Sequence, residues 1–382
     1  MIVLGDLHLT RHTRPEVVSD LWRLFETHAG ERVVIAGDFF DLVADAPKEE
    51  RKQAIANVFG HHPNAREAVG TFLDRGGELT LLGGNHDADL GQADLIPALI
   101  DVIAPSPEGR KRLASRPWFL REGGLHLEHA HFYDPDNTPA HPLVVGEASL
   151  GVHFSAEFVA PTGAHRYLNA NNGTPLKLFL SSFTWYGKRA PYVIYRYFHA
   201  AFAALAKAGP FYRAKHERDL GLERQARYAL EAGVPLEMVE LLFAGGAPST
   251  LESFGKTFAR LYMDRVAATL LMGGGLASLG AGHKIAGATS ATLGAMLMTM
   301  SWLNGHNRYR DTVVTCLERA AEAIVDRTGA SLVVFGHTHR EALTDRYANT
   351  GSFAWPGDAP GRPYLRIEHG PHGPRAIRHH LA

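Results

Sequence analysis

Five short segments of the chain share one pattern, in which an aliphatic run ends in glycine and polar residues. They read MIVLGD (residues 1–6), RVVIAGD (32–38), ELTLLGGNHD (78–87), LHLEHAHFYD (125–134) and SLVVFGHTH (331–339). Runs of this kind are typical of buried strands whose carboxyl ends enter loops. Helical periodicity fills several gaps between them, at about 16–28, 50–74 and 309–328, so the sequence predicts a layered α/β fold.

Length and charge limit the classes to which the protein can belong. A chain of 382 residues is long enough for two structural units. Its formal net charge of -1 argues against a nucleic-acid partner, because nucleic-acid-binding domains usually carry a basic excess. Cys316 is the only cysteine, and no basic and apolar leader precedes Ile2. We therefore expect a cytoplasmic protein without disulfides, with the inner face of the cytoplasmic membrane as an alternative location.

The strand-then-polar pattern is interrupted in the middle of the chain. It is present in residues 1–145 and 308–382, which we predict to form one catalytic domain in two parts. Residues 146–307 lack it and are predicted to be a large, mainly helical insertion. Within this insertion, residues 186–228 hold nine Lys or Arg against three Asp or Glu. The chain therefore has a local excess of basic residues in this segment, although its overall net charge is close to zero.

Two features of the insertion suggest contact with lipid, and each has a competing explanation. Residues 181–202 interleave aromatic and basic side chains, which is expected at a membrane headgroup layer but also in a helix that packs its rings on a core. The stretches 266–282 and 285–305 carry no charged residue. They predict either a membrane hairpin over 266–305 or a buried helical pair within a soluble cap.

The polar residues after the five predicted strands are ones that bind metal ions. They are Asp6 and His8, Asp38, Asn85 and His86, His129, and His337 and His339. In open α/β sheets, ligands gather at the carboxyl ends of the strands. For any one of these clusters, capping of backbone groups is the favoured explanation, but it does not account for five clusters in succession. Mixed His, Asp and Asn ligands suit divalent Mn, Fe, Zn or Co.

The order D-x-H, GD-x-x-D, GNHD, a lone histidine and GHTH resembles the calcineurin-like metallophosphoesterase superfamily, over roughly 1–140 and 308–355. The resemblance implies a β-sandwich flanked by helices, with two divalent metal ions (Mn, Fe or Zn) at one edge. It also implies the ligands of both ions. Asp6, His8, Asp38 and His339 would hold one ion, and Asp38 would bridge to a second held by Asn85, His129 and His337.

The same resemblance implies catalytic roles beside the ligands. His86 would contact the phosphate or protonate the leaving group, and Asp87 would orient it. Asp41 is either a support for this site or a helix N-cap. The superfamily usually has glycine after the fourth-block histidine, where this chain has Ala130, and alanine disfavours a positive φ. We therefore expect a different loop geometry there, with His131 as an alternative ligand to His129.

The resemblance therefore implies a hydrolase that uses a metal-activated hydroxide on a phosphoester. The insertion favours an amphiphilic or lipid-linked phosphodiester or pyrophosphate as substrate. In this respect the chain is similar to the UDP-2,3-diacylglucosamine pyrophosphohydrolases, although those typically have GNRD where this chain has GNHD. The alternatives are a soluble phosphodiesterase or phosphatase acting on nucleotides or phosphoproteins, and a non-catalytic scaffold that retains the fold.

Overall fold

The computed structural model describes residues 1–92, 95–164, 166, 175–305, 312–357, 360–371 and 373–381. Within these residues the strands form two mixed sheets, of order β11-β10-β1-β2-β3-β4 and β5-β6-β7-β9-β8. The strands are β1 (Ile2–Leu4), β2 (Arg32–Ile35), β3 (Glu78–Leu82), β4 (Leu113–Arg116), β5 (Phe119–Glu122), β6 (Leu125–Glu128), β7 (Leu332–Phe335), β8 (Glu341–Leu343), β9 (Tyr347–Thr350), β10 (Arg362–Gly370) and β11 (Gly373–Leu381).

Sixteen α-helices lie in the described part of the chain. They are α1 (Pro15–Thr27), α2 (Leu42–Asp45), α3 (Arg51–His61), α4 (Pro63–Asp74), α5 (Leu95–Ile103), α6 (Pro107–Arg110), α7 (Leu150–Phe154), α8 (Ala160–Thr162), α9 (Pro175–Tyr186), α10 (Ala190–Lys207), α11 (Lys215–Ala232), α12 (Leu236–Ala244), α13 (Phe254–Arg260), α14 (Met263–Gly280), α15 (Lys284–Leu303) and α16 (Thr312–Thr328). A single π-helical turn, Ser155–Val159, joins α7 to α8.

Alternation of side chains along the strands creates three apolar layers. Val3 and Val34 share a buried cluster with Val334 and Leu127, so the two sheets pack against each other through these faces. The opposite face of the first sheet packs with α1 and α3 to α5, and that of the second with α11, α12 and α16. The predicted α/β class is confirmed.

The five predicted strands correspond to β1, β2, β3, β6 and β7, while the periodic segments differ at their limits. The segment at 16–28 corresponds to α1. The segment at 50–74 is two helices rather than one, because Pro63 begins α4 directly after the C-cap of α3 at His62. The segment at 309–328 corresponds to α16, and residues 309–311 lie outside the described residues.

The chain divides into two compact units. The first unit comprises Met1–Ala148, Ala214–Ala247 and Val313–Ala382, and the second comprises Ser149–Arg213 and Pro248–Thr312. Residues 214–247, which the sequence analysis included in the insertion, therefore pack within the first unit. Tyr228 illustrates this packing, since its hydroxyl hydrogen-bonds both the N–H and the carbonyl of Phe119 at 2.9 Å.

Residues 266–305, for which a membrane hairpin was one prediction, lie in α14 and α15, which pack against each other. No helix among the described residues combines the length and apolarity needed to cross a bilayer.

Candidate metal centre

The predicted ligands lie in the loops that follow the carboxyl ends of five strands. β1, β2 and β3 are parallel neighbours in one sheet, and β6 and β7 are parallel neighbours in the other. Positive φ angles are concentrated in these loops, with values of 55° and 47° at Asp6 and His8, 51° at Asp38, and 69° and 55° at His337 and His339. Such angles are uncommon outside glycine and cluster at functional sites. The loops hold these side chains in conformations that an ordinary turn does not require.

The first group of ligand atoms surrounds the carboxylate of Asp6. His339 Nε2 lies 3.1 Å from Asp6 Oδ1 and also 3.1 Å from His8 Nε2. The His8 nitrogen is 3.8 Å from the same carboxylate oxygen. Ions with ligand bonds of about 2.0 to 2.2 Å place neighbouring ligand atoms about 3 to 3.5 Å apart. Among the described residues none donates a hydrogen bond to the buried Asp6 Oδ1, as expected of an oxygen that coordinates a cation.

Asp38 lies between this group and a second one. Its Oδ2 is 3.6 Å from His8 Nε2 and 3.2 Å from His129 Nε2. The His129 nitrogen is also 3.0 Å from Asn85 Oδ1. Donation from His129 Nδ1–H to the Ala36 carbonyl, at 2.8 Å, leaves Nε2 as the coordinating nitrogen once a metal replaces its proton. A carboxylate oxygen shared by two histidine groups is the arrangement that a bridging ligand needs.

His337 approaches the second group from β7. Its backbone N–H donates to Asp6 Oδ2 at 3.1 Å, and its ring lies 5.1 Å from the ring of His129. His337 Nε2 donates to Asp134 Oδ2 at 2.9 Å. Asn137 links the same carboxylate to the Asn85 amide, at 2.6 and 3.3 Å. The Nε2 atom of His337 thus faces the carboxylate of Asp134, which is not one of the predicted metal ligands.

The electrostatics of the cluster favour ionised carboxylates. Burial raises the pKa of Asp6 and Asp38, but the facing rings of His339 and His129 outweigh burial and lower the pKa of both acids below its usual range. Burial lowers the pKa of His129, but Asp38 raises it to about 9. Without a cation, this concentration of buried negative charge is balanced by imidazolium groups. A divalent ion performs the same balancing when these nitrogens are unprotonated.

His86 is oriented by Asp41 rather than by Asp87, which corrects the sequence-based assignment. His86 Nδ1 donates to Asp41 Oδ1 at 2.6 Å, and the His86 backbone N–H donates to Asp38 Oδ1 at 2.9 Å. Asp41 also accepts from the Ala44 N–H at 2.9 Å as the N-cap of α2. Both interpretations of Asp41, as support and as cap, therefore hold.

Asp87 organises the loops instead of touching His86. Its carboxylate accepts three backbone N–H groups, from Gly84, Asp38 and Phe40, at 2.9, 3.2 and 3.0 Å. Burial, followed by the nearby charge of Asp38, raises the pKa of Asp87 to about 7. Asp87 thus joins the loop after β3 to the loop after β2. The difference from the prediction arises because three backbone N–H groups engage the Asp87 carboxylate, while the His86 imidazole pairs with Asp41.

The loop after β6 keeps the conformation that glycine would adopt. Ala130 has φ 76° and is buried, so the expectation that alanine would change this geometry is wrong. His131 lies 5.4 Å from the His129 ring, and burial lowers its pKa. No hydrogen bond to its Nδ1 is present in the described structure. The ring of His129, not that of His131, faces Asp38.

Three residues near the centre were missed in the sequence analysis. Asp134 and Asn137 support His337 and Asn85, and they occur in the polar turn DPDN that closely follows His129. Trp355 packs its ring 4.8 Å from His8 and 5.5 Å from His339 and is 46% exposed. The DPDN turn could have indicated the first two residues. No local pattern distinguishes Trp355 from other loop aromatics.

Comparison with protein-family models and with curated proteins found no match for this chain. The centre therefore has to be interpreted from its own geometry. In the described part of the chain, three overlapping groups have ligand atoms within 4.8 Å of one another: Asp6, His8 and His339; His8, Asp41 and His86; and Asp6, Asp38 and His129. Together with the buried Asp6 Oδ1, which faces the nitrogens of His339 and His8, these groups fit the binding of metal ions.

Proposed function

We propose that the protein is a binuclear-metal-dependent phosphoester hydrolase of the calcineurin-like metallophosphoesterase type. The position of the Asp38 carboxylate carries the proposal, since it lies between His8 on one side and His129 on the other. Asp6, His8, Asp38 and His339 would hold one divalent ion. Asp38, Asn85 and His129 would hold the second, and His337 would join them by exchanging its hydrogen bond to Asp134 for the ion, with Mn, Fe or Zn as the candidates.

When bound, such a pair of ions supplies a metal-activated hydroxide and stabilises the attacking and leaving oxygens of an in-line displacement at phosphorus. The residues of the chain then provide position and protons. Asp41 holds Nδ1 of His86, which fixes the tautomer and leaves Nε2 for the substrate. His86 would protonate the leaving group or bind the phosphate, and Asp87 would keep the loops in register.

The substrate that we propose is an amphiphilic or lipid-linked phosphodiester or pyrophosphate. Support comes from an apolar groove of about 210 Å³ within the second unit. Its lining includes Leu176, Phe179, Phe198, Val266 and Leu270. Such a groove is suited to an alkyl chain. A soluble nucleotide or phosphoprotein hydrolase is the second candidate, and the metal centre supports it equally.

Metal-dependent hydrolysis tests the activity itself. Purified protein with Mn²⁺ is assayed on nitrophenyl mono- and diesters, a nucleotide-diphosphate lipid and a phosphopeptide, beside Asp38→Asn. The control is Asp89→Asn, since Asp89 pairs with Arg51 at 2.9 Å and is not a proposed ligand. Hydrolysis that is lost in Asp38→Asn and kept in Asp89→Asn supports the proposal. Absence of turnover on every substrate, with metal bound, would favour the non-catalytic scaffold.

A further inference from the structure

Charge is divided unequally between the two units. The second unit, residues 149–213 and 248–312, has thirteen Lys and Arg against four Asp and Glu, a net charge of +9. The first unit has 26 Lys and Arg against 36 Asp and Glu, a net charge of -10. No acidic residue occurs from 158 to 216. The near-zero net charge of the whole chain thus hides a strongly cationic unit, which will be attracted to anionic surfaces.

The same unit exposes a stripe of large apolar side chains on α9. Leu176, Phe179, Leu180 and Phe183 are 61, 46, 58 and 44% exposed. Their spacing of three, four and seven residues places them on one face of the helix. Leu176 and Phe179 also line the apolar groove beside Leu270 of α14. The exposed stripe of α9 is therefore continuous with the surface of the α14/α15 hairpin.

In the hairpin, three buried glycines, Gly275, Gly287 and Gly294, lie at the contact between the two helices, and large apolar side chains face outward. An added Cβ at Gly275 would lie 2.5 Å from the Ala291 nitrogen, and one at Gly294 would lie 2.7 Å from the Met272 nitrogen. The two backbones are thus close together. The outward residues Leu270, Leu276, Ile285, Leu293, Met296 and Leu303 are between 53 and 86% exposed. From Arg265 to Gly305 the sequence contains no acidic residue, and Lys284 at the hairpin turn is exposed.

We propose that the second unit docks on an anionic lipid bilayer, with the apolar side chains of α9 and the hairpin inserted into the headgroup region. An amphiphilic surface with basic residues and low overall hydrophobicity lies in the interface plane rather than crossing the membrane. Charge disfavours a symmetric dimer through this surface, because two such units would bring +9 against +9. Arg166 over Trp185, 4.9 Å from the ring, adds an aromatic and basic pair typical of membrane interfaces.

Vesicle sedimentation of the full chain tests the docking. The lipid is phosphatidylcholine alone, or phosphatidylcholine with one third phosphatidylglycerol. We expect binding to the anionic vesicles, little binding to the neutral ones, and weakening by salt. Leu180→Asp and Ile285→Asp should each lower the partition coefficient at least about tenfold, because each removes an inserted apolar side chain. Lys284→Glu should lower it several-fold.

Matched controls lie in the first unit. Leu230 on α11 is 84% exposed, so Leu230→Asp makes the same change at a similar exposure, and Lys52→Glu reverses an exposed charge on α3. Neither should alter vesicle binding. Absence of sedimentation with anionic vesicles, or an equal effect of Leu230→Asp and Ile285→Asp, overturns the proposal. So does light scattering that shows a dimer which Ile285→Asp converts to monomer without any vesicle binding.

The inference is independent of the metal centre, and the experiment separates the two. Asp38→Asn should bind vesicles as the unaltered chain does. Ile285→Asp should hydrolyse a small soluble ester at the unaltered rate, since no proposed ligand lies in the hairpin. Vesicle binding without hydrolysis would refute the proposed function alone, and hydrolysis without vesicle binding would refute the docking alone.

Discussion

Asp41 offers a sharp test because it performs two separable tasks. Its Oδ1 accepts from His86 Nδ1 at 2.6 Å and also from the Ala44 N–H at 2.9 Å as a helix cap. Asparagine is as good an N-cap as aspartate, so Asp41→Asn should keep the cap and change the melting temperature little. It removes the charge that orients His86.

The size of the effect follows from the hydrogen bond that is weakened. A hydrogen bond to a charged group contributes about 1.5 to 3 kcal/mol, and a neutral one about 1 kcal/mol. The difference of about 0.5 to 2 kcal/mol predicts a fall in kcat of roughly 2- to 30-fold, at about 1.4 kcal/mol per factor of ten. Asp41→Ala should lose more activity and also about 1 kcal/mol of stability, since it removes the cap.

The assay compares two diesters at saturating Mn²⁺, one with a nitrophenyl and one with an alkyl leaving group. If His86 protonates the leaving group, the alkyl ester should suffer the larger loss. Glu50→Gln is the matched control, because Glu50 caps α3 by accepting from the Gln53 N–H at 3.0 Å, outside the metal centre. Unchanged kcat in Asp41→Asn, or a loss fully explained by reduced metal content, would refute this reasoning.

Three further predictions concern separate parts of the first unit. Gly84→Ala should reduce metal content and turnover, because its Cβ would meet Asp38 Oδ1. Gly60→Ala should change neither, because a Cβ there would meet no described atom within 4 Å outside its own helix backbone and its chain neighbours. Trp355→Ala should raise KM for an aromatic ester and leave metal content unchanged, since its exposed ring packs on His339; an unchanged KM would count against a substrate contact. Burial, followed by the charges of Arg218 and Arg224, lowers the pKa of His141 to about 4. The stabilisation from the neutral ring is therefore complete above the unfolded pKa of about 6.5, and it is lost as the pH falls towards 4. Urea unfolding at about pH 7 and pH 5 should show a loss on the order of 2 kcal/mol from this residue, which is smaller in His141→Asn; an equal loss in both proteins would contradict the assignment.

The sequence predicted those parts of the site that depend on local order. Strands such as Arg32–Ile35 are continuous aliphatic runs, and each ends where a potential ligand begins, so both strand and ligand could be identified from spacing. Parallel pairing then brings the loops to one edge. The sequence did not reveal which carboxylate pairs with His86. Asp41 and Asp87 are both aspartates near a predicted strand end, and the choice between them depends on how two loops pack.

The composition of the middle of the chain was a weaker guide. Residues 214–247 resemble their neighbours in the insertion, yet they pack with the first unit through side chains such as Tyr228. Hydrophobic periodicity identifies a helix, but it does not indicate which distant part of the chain that helix packs against. The low hydropathy of the hairpin was visible, but its outward leucines were not, since the burial of a glycine-rich helix depends on which face its partner covers.

Metal analysis of the purified protein tests the central claim most directly. Apoprotein reconstituted with excess Mn²⁺ and freed of unbound ion should retain two equivalents per chain. Asp38→Asn should retain fewer, because the carboxylate between His8 and His129 contributes to both sites. Retention of one equivalent or none by the unaltered chain, or of two equivalents by Asp38→Asn with unchanged affinity, would contradict a binuclear centre bridged by Asp38.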